Sequence, residues 1–383
     1  MTDRLVRSMV AAVTGSQEDF PGRIHPADEM LLYNLDLLHG NPTCAAILYF
    51  VKGFQAAAAV LELARWRFRG RELGPVLDFA SGYGRVTRFL IRDLPPEQLW
   101  VTDAVDDAVR FQRAAFGVHG FVSPPALEDL VADRRFPLVV ACSLFSHLPR
   151  RTFGPWLRRL WDLVDDHGLL AVSVLDASLL GAAGAPDGFA YFPESESRVL
   201  EGDRYGTTYV AEETFRAILR DEGLDGCRSP PSIPSGGRCS VARIPAGLCA
   251  HQDLYLIAKG DDADFASLDL TRYPQGELDV FEIRGEEVEL GGWVRDVDPD
   301  GGVREMCVHV NDRVVSTFAP SSGDASRGRW TTRIRLDEVA LDDVVVIAAV
   351  NGRGAANVVA IGTLRPYVTG RPAPDFVVES PEL

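Results

Sequence analysis

Asp78, Gly82, Gly84 and Asp103 are the residues whose types and spacing best fit chemistry on a bound ligand. Asp78 ends the apolar run Pro75-Val76-Leu77, and the two glycines follow it closely. Glycines this close together let the backbone turn sharply and approach a ligand, because no side chain stands in the way. A carboxylate at that point repels a phosphate and attracts a positive group. Asp103 lies 25 residues after Asp78. An acid there, at the end of the next strand, can accept hydrogen bonds from both hydroxyls of a ribose.

Two ligands fit such a turn. A dinucleotide site wants G-x-G-x-x-G, with a pyrophosphate at the following helix N-terminus. Here Thr87 holds the third glycine position, and Asp78 would face the pyrophosphate. S-adenosylmethionine (SAM) is positive at its amino group and its sulfonium, so Asp78 suits it. Asp103 suits either ligand. Asp78 also has a plainer reading, as a helix N-cap or turn-stabilising acid.

A second cluster follows the apolar run Pro137 to Ala141: Cys142, Ser143, Leu144 and, one turn on, His147. In doubly wound sheets ligands sit at the carboxyl ends of the strands. Cys142, Ser143 and Leu144 are therefore expected to face the methionine end of SAM. A neutral imidazole at His147 can take a proton from a substrate hydroxyl; alternatively it fixes the entry to the next helix. Tyr205, in Arg204-Tyr205-Gly206-Thr207-Thr208-Tyr209, either lines an acceptor pocket or packs. Methyl transfer mainly needs alignment of acceptor and methyl, so a strong cofactor signature beside a faint catalytic one is what such chemistry leaves in a sequence. The six cysteines form no CxxC and no paired metal spacing, so no metal site is expected, and reduced thiols in the cytoplasm are.

These residues need elements to hold them. Residues 20–70 read as helices, with a break at Asn41-Pro42. From Gly74 strands and helices alternate: strands at 75–80, 98–102, 120–122, 137–142, 168–175 and 253–257, helices at 84–92, 104–116, 153–164 and 212–222. That alternation predicts an α/β fold, a Rossmann-like, doubly wound, mostly parallel seven-stranded sheet covered on both faces. After residue 260 the helical pattern stops. Short strands at 288–294, 305–310, 330–336, 344–350 and 358–361, with turns at Asn311-Asp312 and Asn351-Gly352, predict a C-terminal all-β sandwich. The domain plan is a helical region over 1–70, a ligand-binding domain over 71–260, a linker over 261–275, the sandwich over 276–368 and a tail over 369–383.

The run Asp78-Phe79-Ala80-Ser81-Gly82-Tyr83-Gly84 resembles motif I of class I SAM-dependent methyltransferases, with Ala80 and Ser81 where that family often has Gly and Cys or Ser. The resemblance implies that Asp78 holds the methionine amino group and that Ala80, Ser81 and Gly82 line methionine and ribose. It further implies that Asp103 and Ala104 meet ribose and adenine, and that Leu127, Glu128 and Asp129 flank the adenine edge. Phe136 to Pro149 is similar to the family segment F-D-x-I-x-x-x-S-V-F-x-H-L, with Pro137 replacing the usual acid. Asp166-His167-Gly168 resembles the family's turn before the fifth strand. The likeness covers about residues 74–260.

The formal net charge of −16 weighs against nucleic acid as a partner. No apolar stretch reads as long enough to span a bilayer, which takes about 20 residues, and the start lacks a signal-peptide pattern. The expected activity is methylation of a small-molecule or glycan acceptor at a hydroxyl, in bacterial secondary or surface-polysaccharide metabolism. N- or C-methylation, another SAM-dependent reaction, and a catalytically inactive SAM-fold binding protein are the alternatives. No N-P-P-Y-like segment supports methylation of nucleobase amino groups. Gly291-Gly292-Trp293-Val294, Val308 to Asn311 and Arg329-Trp330 loosely resemble sandwich modules attached to glycan-modifying enzymes. Trp293 and Trp330 read first as core residues and second as sugar-stacking platforms. The β-domain equally offers a homodimer surface.

Overall fold

The structure is a computed structural model describing residues 4–16, 19–124, 130, 134–194, 197, 199–224, 239–260, 263–298, 301–321 and 327–365. The chain divides into two compact units, Met1–Gln55 with Thr271–Ser380, and Ala56–Leu270. The first 55 residues thus go with the C-terminal strands, where the sequence suggested a helical prelude to the strand-and-helix region.

Three helices open the chain: α1 (Arg4–Thr14), α2 (Glu29–Leu37) and α3 (Pro42–Arg67). Asp28 caps α2, its carboxylate accepting the N–H groups of Met30 and Leu31. The Asn41-Pro42 break is a helix start: Asn41 Oδ1 accepts the N–H groups of Thr43 (3.1 Å) and Cys44 (3.0 Å), and proline opens α3. By length and composition α3 is apolar enough to cross a membrane, contrary to the expectation that no segment is. Lys52 and Gln55 interrupt the run, but the surrounding Ala, Leu, Val and Phe outweigh them on average. The most apolar window of α3 is 83% buried inside the protein, as in a core helix. Lys52 and Gln55 both donate to the Asn357 side-chain oxygen, at 3.3 and 3.1 Å.

The second unit carries β1 (Val76–Phe79), α4 (Thr87–Leu90), β2 (Leu99–Asp103), α5 (Asp106–Phe116), β3 (His119–Val122), β4 (Phe136–Ala141), α6 (Arg150–Asp162), β5 (Val164–Asp176), β6 (Phe189–Phe192), β7 (Thr207–Val210), α7 (Glu212–Asp221), β8 (Cys239–Leu248) and β9 (Gln252–Lys259). β3-β2-β1-β4-β5 are parallel neighbours. β9 runs antiparallel beside β5, and β8 antiparallel beside β9. These seven strands form the expected Rossmann-like sheet. The hairpin β6–β7 extends it to nine, because β7 pairs with the last two residues of β5 (Leu175↔Tyr209, Asp176↔Val210). β1 is buried along its whole length, as a strand covered on both faces must be. Phe153, Leu157 and Leu160 of α6 and Phe215 and Leu219 of α7 pack with Val139, Leu170 and Val172 of the sheet. Each such side chain contributes about 1.5–3 kcal/mol by leaving water.

The first unit adds β10 (Gln275–Arg284), β11 (Glu287–Arg295), β12 (Val303–Val310), β13 (Arg313–Phe318), β14 (Gly328–Arg335), β15 (Val344–Asn351) and β16 (Ala356–Thr363). They make two antiparallel sheets, β10-β11-β14 and β13-β12-β15-β16. Leu290, Val294 and Trp330 from one and Val308, Ile347 and Val359 from the other share one core, which makes the unit a sandwich. β10 and β13 were not foreseen. Asn311 takes a positive φ of 53° in the two-residue turn between β12 and β13, the conformation such hairpins ask of Asn. Trp330 is 2% exposed, and its indole N–H donates to the Trp293 carbonyl at 3.2 Å. It is a core residue and cannot stack on a sugar. Gly292 makes its place: a Cβ there would sit 2.9 Å from the Trp330 ring and 1.7 Å from the Glu277 carbonyl oxygen.

Candidate functional site

β2 and β3 lie on one side of β1, and β4 and β5 on the other. The direction of strand order therefore reverses between β1 and β4. That reversal opens a crevice at the carboxyl ends of the strands, where ligands bind in doubly wound sheets. Asp78, the turn from Ala80 to Gly84, Asp103 and Cys142 all belong to this end of the sheet.

The turn after β1 holds three residues at positive φ: Ala80 (58°), Gly82 (54°) and Gly84 (79°). Because these angles cannot continue a helix, α4 begins only at Thr87, later than the sequence suggested. The turn's N–H groups are tied down. Ser81 donates to the Thr102 carbonyl at 3.1 Å and Gly84 to the Ser81 carbonyl at 3.1 Å. Gly82 donates to Asp103 Oδ2 at 2.8 Å, while Asp103 Oδ1 accepts the Val105 N–H at 2.9 Å. The Gln112 amide, from α5, donates to Ser81 Oγ at 2.7 Å and to the Gly82 carbonyl at 2.8 Å. The two glycines are needed for different reasons. At Gly84 a Cβ would meet Phe116 at 2.5 Å. At Gly82 a Cβ would meet nothing within 4 Å, so this side of the turn faces open space.

Asp78 is 3% exposed, and its carboxylate accepts the Thr87 hydroxyl at 3.2 Å. The turn's N–H groups go elsewhere, so Asp78 does not act as an N-cap. Burial pushes its pKa up to about 7; the Thr87 hydrogen bond opposes the rise, Asp103 adds to it and Arg85 opposes it. A buried carboxylate so weakly compensated by its neighbours is suited to receive a cation.

At the exit of β4, burial raises the Cys142 thiol pKa, with the nearby Asp78 charge adding to the rise. Ser143 holds a left-handed φ of 63°. Its N–H donates to Ser173 Oγ at 2.7 Å, the Ser173 hydroxyl donates to Gln252 Oε1 at 2.6 Å, and Gln252 Nε2 returns to Ser143 Oγ at 3.1 Å. This closed ring pins the backbone just after Cys142. Leu144, expected to face the ligand, is 9% exposed and belongs to the apolar cluster against which Ala80 of the turn also packs. Ala104 is exposed beside Asp103. Glu128, with Leu127 and Asp129, lies outside the described residues.

His147 is 8% exposed and stacks on Tyr205, ring centroids 4.4 Å apart. Its Nδ1 lies 2.7 Å from the Gly206 carbonyl, and the Gly206 N–H donates to the His147 carbonyl at 2.9 Å. Thr208 continues the clasp through its N–H to the Ser146 carbonyl and its hydroxyl to the Leu148 carbonyl. Burial pushes the His147 pKa down to about 4, against the opposing effect of the Gly206 hydrogen bond. The ring is therefore neutral near pH 7. With its proton on Nδ1 for Gly206, Nε2 is the basic nitrogen. The clasp ties the segment before α6 to the segment that leads into β7.

Sequence reasoning missed Gln112, Ser173, Gln252 and an ion cluster at the same end of the sheet. In that cluster Arg243 binds Asp176, Glu212 and Asp253 at once, each at 2.6 or 2.7 Å. A cleft of about 780 Å³ shares Glu212 and runs from Pro186 to Gly188 and from Ala211 to Arg216. One signal was available: Gln112 is polar on the otherwise apolar buried face of α5, with Ala108, Val109 and Phe116. A lone amide on such a face needs a partner.

No family model and no curated protein matches the sequence. Among solved structures, the chain is similar to a SAM-dependent methyltransferase from Clostridium acetobutylicum, at 14% identity, 54% of this chain, 91% of that one and a TM-score of 0.36. It is similar to CalS10, an amino pentose methyltransferase from Micromonospora echinaspora, at 12% identity, 54% of this chain, 91% of that one and a TM-score of 0.38. It is also similar to DesVI of Streptomyces venezuelae, at 14% identity, 62% of this chain, 100% of that one and a TM-score of 0.39.

Proposed function

We propose that the chain is a SAM-dependent methyltransferase that methylates a hydroxyl of a small-molecule or glycan acceptor. One observation carries the reading. Two carboxylates, Asp78 and Asp103, lie at the carboxyl ends of the adjacent parallel strands β1 and β2, strand order reverses on the other side of β1, and the turn after β1 presents open space at Gly82. The donor set fits SAM. Asp78 holds a positive amino group, and Asp103, aligned by two backbone N–H groups, is an acceptor for ribose hydroxyls. A pyrophosphate would meet a buried carboxylate instead of free N–H groups.

SAM supplies a methyl group on a sulfonium, which leaves as a neutral thioether. The protein's work is alignment and, for a hydroxyl acceptor, removal of one proton. The ring of Ser143, Ser173 and Gln252 fixes the backbone beside Cys142 at the methionine end. His147, neutral and with Nε2 as its basic nitrogen, accepts the acceptor's proton, and Tyr205 holds the imidazole flat.

Calorimetric titration with SAM tests the cofactor assignment. The wild-type chain binds, and Asp78→Ala loses at least tenfold in affinity; equal binding by both overturns the assignment. Mass analysis of products from hydroxyl, amine and carbon acceptors then tests the atom methylated.

A further inference from the structure

The outer face of the sheet β10-β11-β14 is covered with ion pairs. Arg284 pairs with Glu282 at 2.7 Å, Arg333 with Glu289 at 2.9 Å and Arg335 with Asp337 at 2.7 Å. Two arginines at one end of the face depart from this pattern. The antiparallel register ends at Val294↔Gly328, so Arg295 and Arg327 stand opposite each other one step beyond it. Like charges directly opposite on paired strands destabilise a sheet. Neither is paired with a carboxylate among the described residues. Arg295 donates to the neutral Gln275 side chain at 2.7 Å. The Arg327 guanidinium lies 4.4 Å from the centre of the Trp293 ring, and that of Arg295 lies 6.0 Å from the same ring. The indole N–H of Trp293 donates to Glu277 at 2.8 Å, which fixes the ring beside both guanidiniums. In a chain of net charge −16, two cations held together with no acid paired to them among the described residues mark a place prepared for an outside anion.

We propose that Arg295 and Arg327, braced by Trp293, bind the carboxylate of an acidic saccharide. Two guanidinium forks beside one aromatic brace suit a planar oxyanion. The neighbouring strand decides what carries the oxyanion. Glu277 stands directly across from Trp293, and Asp279 lies further along β10, where it pairs with Arg329. These carboxylates repel a polyanion such as nucleic acid and accept hydrogen bonds from hydroxyls. One anionic group among many hydroxyls is the chemistry of a uronic acid sugar. The site is independent of the methyl-transfer assignment.

The test is calorimetry on the full-length chain with three probes: trigalacturonate, neutral maltotriose and inorganic phosphate. Trigalacturonate binds, and maltotriose binds at least tenfold more weakly. Arg295→Gln and Arg327→Gln each weaken trigalacturonate about tenfold, the loss of one charged hydrogen-bonding group. Arg333→Gln, on the same face but paired with Glu289, leaves affinity unchanged. The proposal fails if trigalacturonate does not bind, or if maltotriose binds equally well. It fails if phosphate binds as tightly as trigalacturonate, because the site would then serve a free anion. It fails too if Arg333→Gln costs as much as the other two, because the attraction would then belong to the whole face.

Discussion

Asp103 Oδ2 accepts the backbone N–H of Gly82 at 2.8 Å, so the acid at the end of β2 holds the turn that follows β1. The residue proposed to meet the ribose is also a strut of the glycine turn. Asp103→Ala removes both roles. It is expected to lower SAM affinity by at least tenfold and to destabilise the ligand-free protein by about 1–3 kcal/mol, since the Gly82 and Val105 N–H groups lose their acceptor. Asp103→Asn keeps one acceptor oxygen and falls between wild type and alanine in both calorimetry and thermal melting.

In its proposed role, Asp78 makes SAM binding pH-dependent. Its pKa of about 7 in the ligand-free protein means that a proton must leave before a cation can be held. SAM affinity is expected to fall about tenfold per pH unit below about 7 and to be flat over the same range in Asp78→Asn. The sign for stability is opposite. The folded pKa lies above the ordinary 3.8, so Asp78 contributes stability below that value which is lost as pH rises through about 7. Melting curves at pH 4 and pH 8, compared with Asp78→Asn, check this, and saturating SAM recovers the loss at pH 8.

His147 runs the other way. Its folded pKa of about 4 lies below the ordinary 6.5, so its stabilising contribution is present above 6.5 and disappears as pH falls through about 4. If it is the base, His147→Gln lowers turnover about 10²- to 10⁴-fold while leaving SAM affinity intact. Turnover unchanged in that variant would leave His147 only its clasp on Gly206.

Gly84→Ala tests the packing beneath the turn. The added methyl meets Phe116 and Gln112 at a φ of 79°, so strain and overlap act together. A loss of about 1–3 kcal/mol is expected. SAM affinity falls with it, because Gln112 also holds Ser81 and Gly82. Gly82→Ala carries the strain without the overlap and costs less stability than Gly84→Ala.

The glycine turn was legible because all its signals lie within ten residues: an apolar run, an acid and two glycines. The parallel strands were legible for the same local reason. What escaped notice depends on partners far along the chain. Ser173 and Gln252 sit on different strands, and only the pairing of β5 with β9 brings them to Ser143. The hairpin β6–β7 is short, and its place is set by two residues of β5. Trp293 and Trp330 look alike in sequence; alternation along β11 and β14 puts one on the outer face and the other in the core. Lys52 and Gln55 gave no local sign of their partner, Asn357, some three hundred residues later.

That last pairing bears on how the chain is made. The unit containing Met1–Gln55 is completed only by residues from Thr271 onward. During synthesis the first helices emerge early and wait for more than two hundred further residues. At ~5–20 residues per second that is on the order of 10–40 s. The Rossmann-like sheet can form in that interval, and Phe20 and Phe50 can already pair, while the partners that the C-terminal strands supply to Lys52 and Gln55 are still missing. A deletion of the C-terminal strands alone would extend the wait indefinitely, so a shortened protein would have to lose its first helices too.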